Sequence, residues 1–170
     1  MKFRTKINTN ELFQFLLHHA YRGINGKIGL IISFASAVLF VIGIPDFSGN
    51  ETKMVVFAII ALLYTVINPI MLYTKAKKQK LTNPVYKKEM EYVLDDEGIK
   101  LFVGDQEGGI PWDRIVMITE TSSLYILYTT RVNAFLWPKK DLGTQSQEIM
   151  KYVVSHIDPS IVKLPKKMRG

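Results

Sequence analysis

Three histidines, fifteen acids and no cysteine bound the chemistry open to this chain. Without a thiol there is no thiolate nucleophile, no disulfide and no thiolate metal site. His18 and His19 are adjacent, so on a helix they point to different sides and cannot hold one metal as an i, i+4 pair would. His156 sits in a C-terminal helical pattern, beside its apolar stripe. The glycine-rich stretch 104–109 lacks the Lys-Ser/Thr ending of a phosphate-binding loop and reads as a hairpin turn. Asp95-Asp96-Glu97 lacks calcium-loop spacing and reads as a solvated turn. Ser122 and Ser123 have no G-x-S-x-G context. With no nucleophile–base pair and no carboxylates set in an apolar surround, the expectation is a protein that is not an enzyme, with no cofactor and no metal.

The residues that remain suit contact rather than catalysis. Trp112, Asp113, Lys139 and Lys140 are candidates for one rim touching a partner or lipid head groups. Their structural expectation is plainer: Trp112 plugs a sheet–helix core, Asp113 caps the turn 113–115, and the two lysines are a solvated pair at a strand end. A second basic group is Lys75, Lys77, Lys78, Lys80, Lys87 and Lys88, with no acid between them. The tail adds Lys163, Lys166, Lys167 and Arg169. Residues 89–160, by contrast, hold twelve acids and six bases. The net charge of +7 is therefore segregated. Lysines beside anionic head groups contribute about 1 kcal/mol each, so lipid attraction and topology account for the basic character without nucleic acid.

The elements that place these residues begin with two uncharged runs. Residues 28–44 read IGLIISFASAVLFVIGI and residues 54–73 read MVVFAIIALLYTVINPIMLY. A membrane span needs roughly 17–25 apolar residues, so the pair predicts a transmembrane hairpin. No small-x-small cleavage pattern follows the first run, which argues against a cleaved signal. Lys2, Arg4, Lys6, Arg22 and Lys27 precede the hairpin and the six lysines follow it. The loop at 45–53 carries one lysine and two acids. By the positive-inside rule both termini are cytoplasmic. Gly29, Ser33 and Ala37 recur every four residues and form a packing seam that Ala58, Ala61 and Thr65 would face. Pro69 should kink the second helix, with Asn68 satisfying the freed backbone.

Around the hairpin the period changes. Residues 2–7 alternate like a strand, and a helix over 9–21 starts at an Asn8/Glu11 capping box with Ile7 and Leu12 as its hydrophobic staple. That helix lies on the membrane surface or on the cytoplasmic domain. Strand pairs follow from Tyr92 to Trp137, and Pro138 ends the last of them. A final helix, capped by Thr144 and Gln147, turns Ile149, Met150, Val153, Val154 and Ile157 to one side. The expected organisation is 1–27 (strand and amphipathic helix), 28–73 (hairpin), 74–88 (basic linker), 89–160 (sheet plus helix) and 161–170 (basic tail). The class is an α+β membrane protein with an antiparallel sheet covered by a C-terminal helix.

Two spans, then Asp96-Glu97-Gly98-Ile99, Trp112-Asp113 and Pro138-Lys139-Lys140 in that order, resemble the YcxB-like family of bacterial membrane proteins. The resemblance implies a C-terminal domain similar to the bacterial pleckstrin-homology fold and a place in the bacterial cytoplasmic membrane. It implies no general activity. By analogy of fold and place, protection against a bacteriocin or membrane-active toxin is one expected use. The leading expectation is a non-enzymatic, membrane-anchored binding module whose partners are the anionic bilayer and a protein or toxin. The alternative is a subunit of a transporter or channel, which needs a homo-oligomer because two helices cannot enclose a pathway.

Overall fold

Alternation at the start of the chain produces β1 (Lys2–Thr5), with Phe3 and Thr5 buried and Lys2 and Arg4 outside. Helix α1 (Thr9–Arg22) follows, and its capping box is formed. The Asn8 amide donates to Glu11 Oε2 at 2.7 Å, and the Glu11 amide donates back to Asn8 Oδ1 at 3.0 Å. Ile7 and Leu12, the staple pair, are both fully buried. The computed structural model describes residues 1–44 and 48–165. The tail cations Lys166, Lys167 and Arg169 lie outside them, as do Pro45, Asp46 and Phe47.

Contacts divide the chain into two units, Met1–Phe15 with Lys77–Gly170, and Leu16–Ala76. The second unit holds α2 (Ile24–Gly43) and α3 (Glu51–Leu62), then a π-helical turn (Leu63–Ile67) that runs into α4 (Asn68–Thr82). The two continuous helices, Ile24–Gly43 and Glu51–Thr82, are long and apolar enough to cross a membrane. Their apolar side chains point outward: Ile31 is 67% exposed, Phe34 72% and Met71 63%. In α2, small and hydroxyl-bearing residues turn inward. Gly26, Gly29, Ser33 and Ser36 are the buried residues of α2. The Ser33 hydroxyl donates to the Ile60 carbonyl at 2.9 Å, and a Cβ on Gly29 would lie 2.3 Å from the Tyr64 ring. The seam therefore forms on the expected face of α2, but Tyr64 and Ile60 fill it. Thr65 is exposed and bonds back to the Ala61 carbonyl at 2.6 Å.

The other unit is built from two four-stranded sheets, not the single sheet expected. One has the order β1-β2-β3-β4, with β2 (Met90–Leu94), β3 (Gly98–Val103) and β4 (Gln106–Pro111). Its strands are antiparallel throughout, and Phe3 pairs with Tyr92. The other has the order β7-β6-β5-β8, with β5 (Met117–Glu120), β6 (Leu124–Tyr128), β7 (Ala134–Pro138) and β8 (Val162–Lys163). Strand β8 runs parallel to β5, inside the stretch expected to be only a basic tail. Aromatic rings join the sheets: Phe3 meets Trp137 edge-on at 5.0 Å, and Tyr92 meets Phe135 and Trp137 at 5.8 and 5.5 Å. Each such pair contributes about 0.5–1.5 kcal/mol beyond area burial.

The glycine-rich stretch is mostly strand. Only Gly104 and Asp105 form the turn, where Gly104 takes the left-handed φ of +63° that glycine adopts without a Cβ clash. The short helices α5 (Pro84–Lys87) and α6 (Lys139–Leu142) and several 3₁₀ turns connect the larger elements. Helix α7 (Ser146–Ser155) buries Ile149, Met150 and Val153 against the core. Its expected capping box is not made. A 3₁₀ turn over Gly143–Gln145 moves the helix start to Ser146, beyond Thr144, and the Ser146 hydroxyl lies 3.1 Å from the Tyr125 hydroxyl instead.

Candidate functional site

The four expected rim residues fall in two neighbourhoods. Trp112 opens a 3₁₀ turn (Trp112–Arg114) whose N-cap is Pro111, so Asp113 lies inside the turn and does not cap it. Trp112 is 7% exposed. Its ring stacks on His156 at 5.2 Å and meets Tyr152 edge-on at 6.3 Å, so it does pack between sheet and C-terminal helix. The indole N–H donates to the Asp95 carbonyl at 3.0 Å. Trp112 and Asp113 border an open cavity of about 680 Å³, with Asp96, His156 and Asp158 also on its wall.

The Asp95 turn beside this cavity is held by its own side chain. Asp95 Oδ1 accepts from the amides of Glu97 and Gly98, and Lys100 Nζ sits 2.7 Å from Oδ2. The lysine and the two amides hold the Asp95 carboxyl below its ordinary range. Beyond it, the Tyr152 hydroxyl donates to Asp96 Oδ1 at 3.0 Å, and His156 Nε2 lies 3.5 Å from the same oxygen.

Lys139 and Lys140 have each found a carboxylate: Lys139 is half-buried, whereas Lys140 stays exposed, as expected. Lys139 Nζ lies 2.7 Å from Glu120, donates to the Thr121 carbonyl at 2.8 Å and sits over the Tyr125 ring. Lys140 Nζ lies 2.7 Å from Glu11, and that hydrogen bond raises the lysine's pKa. The same corner holds Gln14, whose side-chain oxygen accepts from Ser123 at 2.6 Å and from Thr121 at 3.3 Å. Gln14 carried no signal in the sequence, being one polar residue in a broadly apolar helix.

Of the six lysines between positions 75 and 88, Lys75, Lys77, Lys78, Lys87 and Lys88 are exposed. Lys80 is instead held by backbone carbonyls. Its ammonium donates to the Ile7 carbonyl at 2.6 Å and to the carbonyl of Tyr86, so it joins the end of α4 to the β1–α1 junction. No cluster of three or more His, Asp or Glu among the described residues is placed to hold a metal ion.

In the apolar unit, the π turn and Pro69 create one further polar cluster. The Asn68 amide donates to the Leu63 carbonyl, five residues back. Pro69 has no N–H to give the Tyr64 carbonyl. The Tyr21 hydroxyl donates to that carbonyl instead, and the Asn68 side chain donates to the Tyr21 oxygen at 3.0 Å. Asn68 thus serves the broken helix as expected, through a tyrosine that the sequence did not single out.

Residues 94–152 match the family model described as YcxB-like protein. This segment is similar to the YcxB-like family. No curated protein and no solved structure matches the chain. The YcxB-like segment runs from the end of β2 into α7, so it contains Trp112, Asp113, Lys139, Lys140 and the Asp95 turn. Strand β1, the apolar helices and β8 lie outside the matched residues. Strands β3 and β4, inside the match, belong to a sheet whose outer strand comes from residues 2–5.

Proposed function

We propose that the chain is a non-enzymatic, membrane-anchored binding module. In this reading α2 and the α3–α4 helix cross the bacterial cytoplasmic membrane, both termini are cytoplasmic, and the β-rich unit is presented at the inner leaflet. The pairing of β1 with β2 carries the proposal. These strands flank the apolar helices in sequence, yet they exchange hydrogen bonds from Lys2↔Val93 to Thr5↔Met90. A chain that crosses a bilayer between them must cross an even number of times, and two apolar helices meet that requirement.

The outward-facing apolar side chains suit a hydrocarbon solvent, in which polar groups must be satisfied internally. Ser33, Tyr21 and Asn68 meet this condition. The exposed lysines 75, 77, 78, 87 and 88 suit anionic head groups, and no acid interrupts their segment. Two packed four-stranded sheets with one C-terminal helix support a pleckstrin-homology-like fold for the β-rich unit. Protection from a membrane-active toxin or bacteriocin is one use of such a module; unchanged killing of a sensitive strain that expresses the chain would remove that use.

The absence of native cysteine makes topology directly testable. Ser48→Cys should react with a membrane-impermeant maleimide in intact cells. Ser160→Cys should react only after permeabilisation. Labelling of both residues in intact cells, or recovery of the chain in the soluble fraction, overturns the proposal.

A further inference from the structure

We infer that the cavity beside Trp112 receives a basic, partly apolar peptide segment, with arginine or lysine side chains on the rim and an apolar side chain on the floor. The inference rests on the reading of the β-rich unit as a binding module and names its partner class.

The cavity measures about 680 Å³ and opens to solvent, a size that suits a few side chains. Its rim carries Asp96, Glu97, Asp113 and Asp158, all exposed. Among the described residues, no lysine or arginine lines it. Its floor is apolar: Ile115 is buried, Ile157 and Ile161 are half-buried, and Trp112 presents little of its ring.

Charge and floor together decide the ligand class. An anionic head group is repelled by four carboxylates. A bare metal ion finds no group of three or more His, Asp or Glu placed to hold it among the described residues. The negative charge is spread along the rim, and the surface it encloses is hydrocarbon. The complement is a ligand with several separated cations on an apolar body, which is the chemistry of a basic amphipathic peptide. Exposed ion pairs contribute about 0–1 kcal/mol each, so affinity requires several charges and the floor acting together. It also falls as salt rises.

The wall is held in shape without the ligand. Trp112 is clamped by Asp95 and His156, Tyr152 holds Asp96, and Asp158 Oδ1 accepts from the Ser160 amide at 2.7 Å. Glu97 and Asp113 can be neutralised without removing any of these bonds.

The test uses the full chain in zwitterionic nanodiscs, with a fluorescein-labelled Arg-Leu-Arg-Leu-Arg peptide read by anisotropy. The native chain should bind it, more weakly as salt rises. Glu97→Gln with Asp113→Asn should weaken binding at least tenfold. Asp105→Asn with Glu107→Gln, acids outside the cavity, should leave binding unchanged. Ile157→Lys, which places a cation on the floor, should abolish it, and near-UV circular dichroism should show each variant folded.

Absence of binding by the native chain overturns the inference, as does equal binding by the neutralised variant. It is also overturned if a Glu-Leu-Glu-Leu-Glu peptide binds equally, if spermidine competes as well as the peptide, or if binding appears only when anionic lipid is added. None of these results alters the cysteine-labelling pattern, so failure here is distinguishable from failure of the membrane-anchored reading.

Discussion

Lys140 Nζ lies 2.7 Å from Glu11 Oε1, and the Glu11 side chain is only 5% exposed. The pair joins the start of α6 to the first turn of α1, across 129 positions of sequence (140 − 11). The other Glu11 oxygen is taken by the Asn8 amide. Truncating the lysine leaves a buried carboxylate short of one partner, at a cost of about 1–3 kcal/mol. Lys140→Ala should therefore lower the thermal midpoint of the purified chain, and Lys140→Arg should restore most of it. Differential scanning fluorimetry in detergent reads both.

Phe3 stacks on Tyr92 at 5.3 Å and meets Trp137 edge-on at 5.0 Å. A buried phenylalanine replaced by alanine costs about 3–5 kcal/mol. Phe3→Ala should unfold the β-rich unit at lower denaturant. A fragment comprising only 77–170 should show weakened amide protection in β2, because that strand loses its ladder partner. Hydrogen exchange read by mass spectrometry decides; native-like protection of β2 in the fragment contradicts the role given to β1.

Tyr21 serves the carbonyl that Pro69 cannot. Tyr21→Phe should destabilise the apolar unit by about 1–3 kcal/mol. Pro69→Ala supplies an N–H within the helix, so the double variant should lose less than the sum of the two single changes. A double-mutant cycle on the unfolding midpoint in detergent measures this coupling.

Gly29 lies against the face of Tyr64. Gly29→Ile should push the two apolar helices apart, since the Tyr64 ring leaves no room for a branched side chain. Reduced thermal stability in detergent is expected, whereas Gly23→Ala, at a glycine with open space around it, should have little effect.

Asp95 has a carboxyl held low by Lys100 and two backbone amides. A group whose folded-state pKa is depressed contributes stability above its unfolded value, about 4, and loses it as pH falls through the folded value. The native chain should therefore lose stability relative to Asp95→Asn between about pH 4 and lower pH. Urea midpoints of the two chains from pH 7 to pH 3 should converge towards the acid end.

The sequence by itself determined the local features. Two uncharged runs of helical length, an Asn8/Glu11 reciprocal cap, an Asp-led turn closed by Gly98 and the apolar stripe of α7 were all legible, because each depends on residues close along the chain. Tertiary structure decided the rest. Nothing local says that residues 2–5 pair with 90–93, that 162–163 form a parallel strand, or that a 3₁₀ turn displaces the start of α7. Nor does local sequence mark Lys80, Lys139 and Lys140 as bonded to partners far along the chain. Lysines look solvated when read in sequence because their type is usually exposed. Whether a particular one meets a carboxylate or a backbone carbonyl depends on how distant segments are brought together by packing, and local pattern carries no record of that.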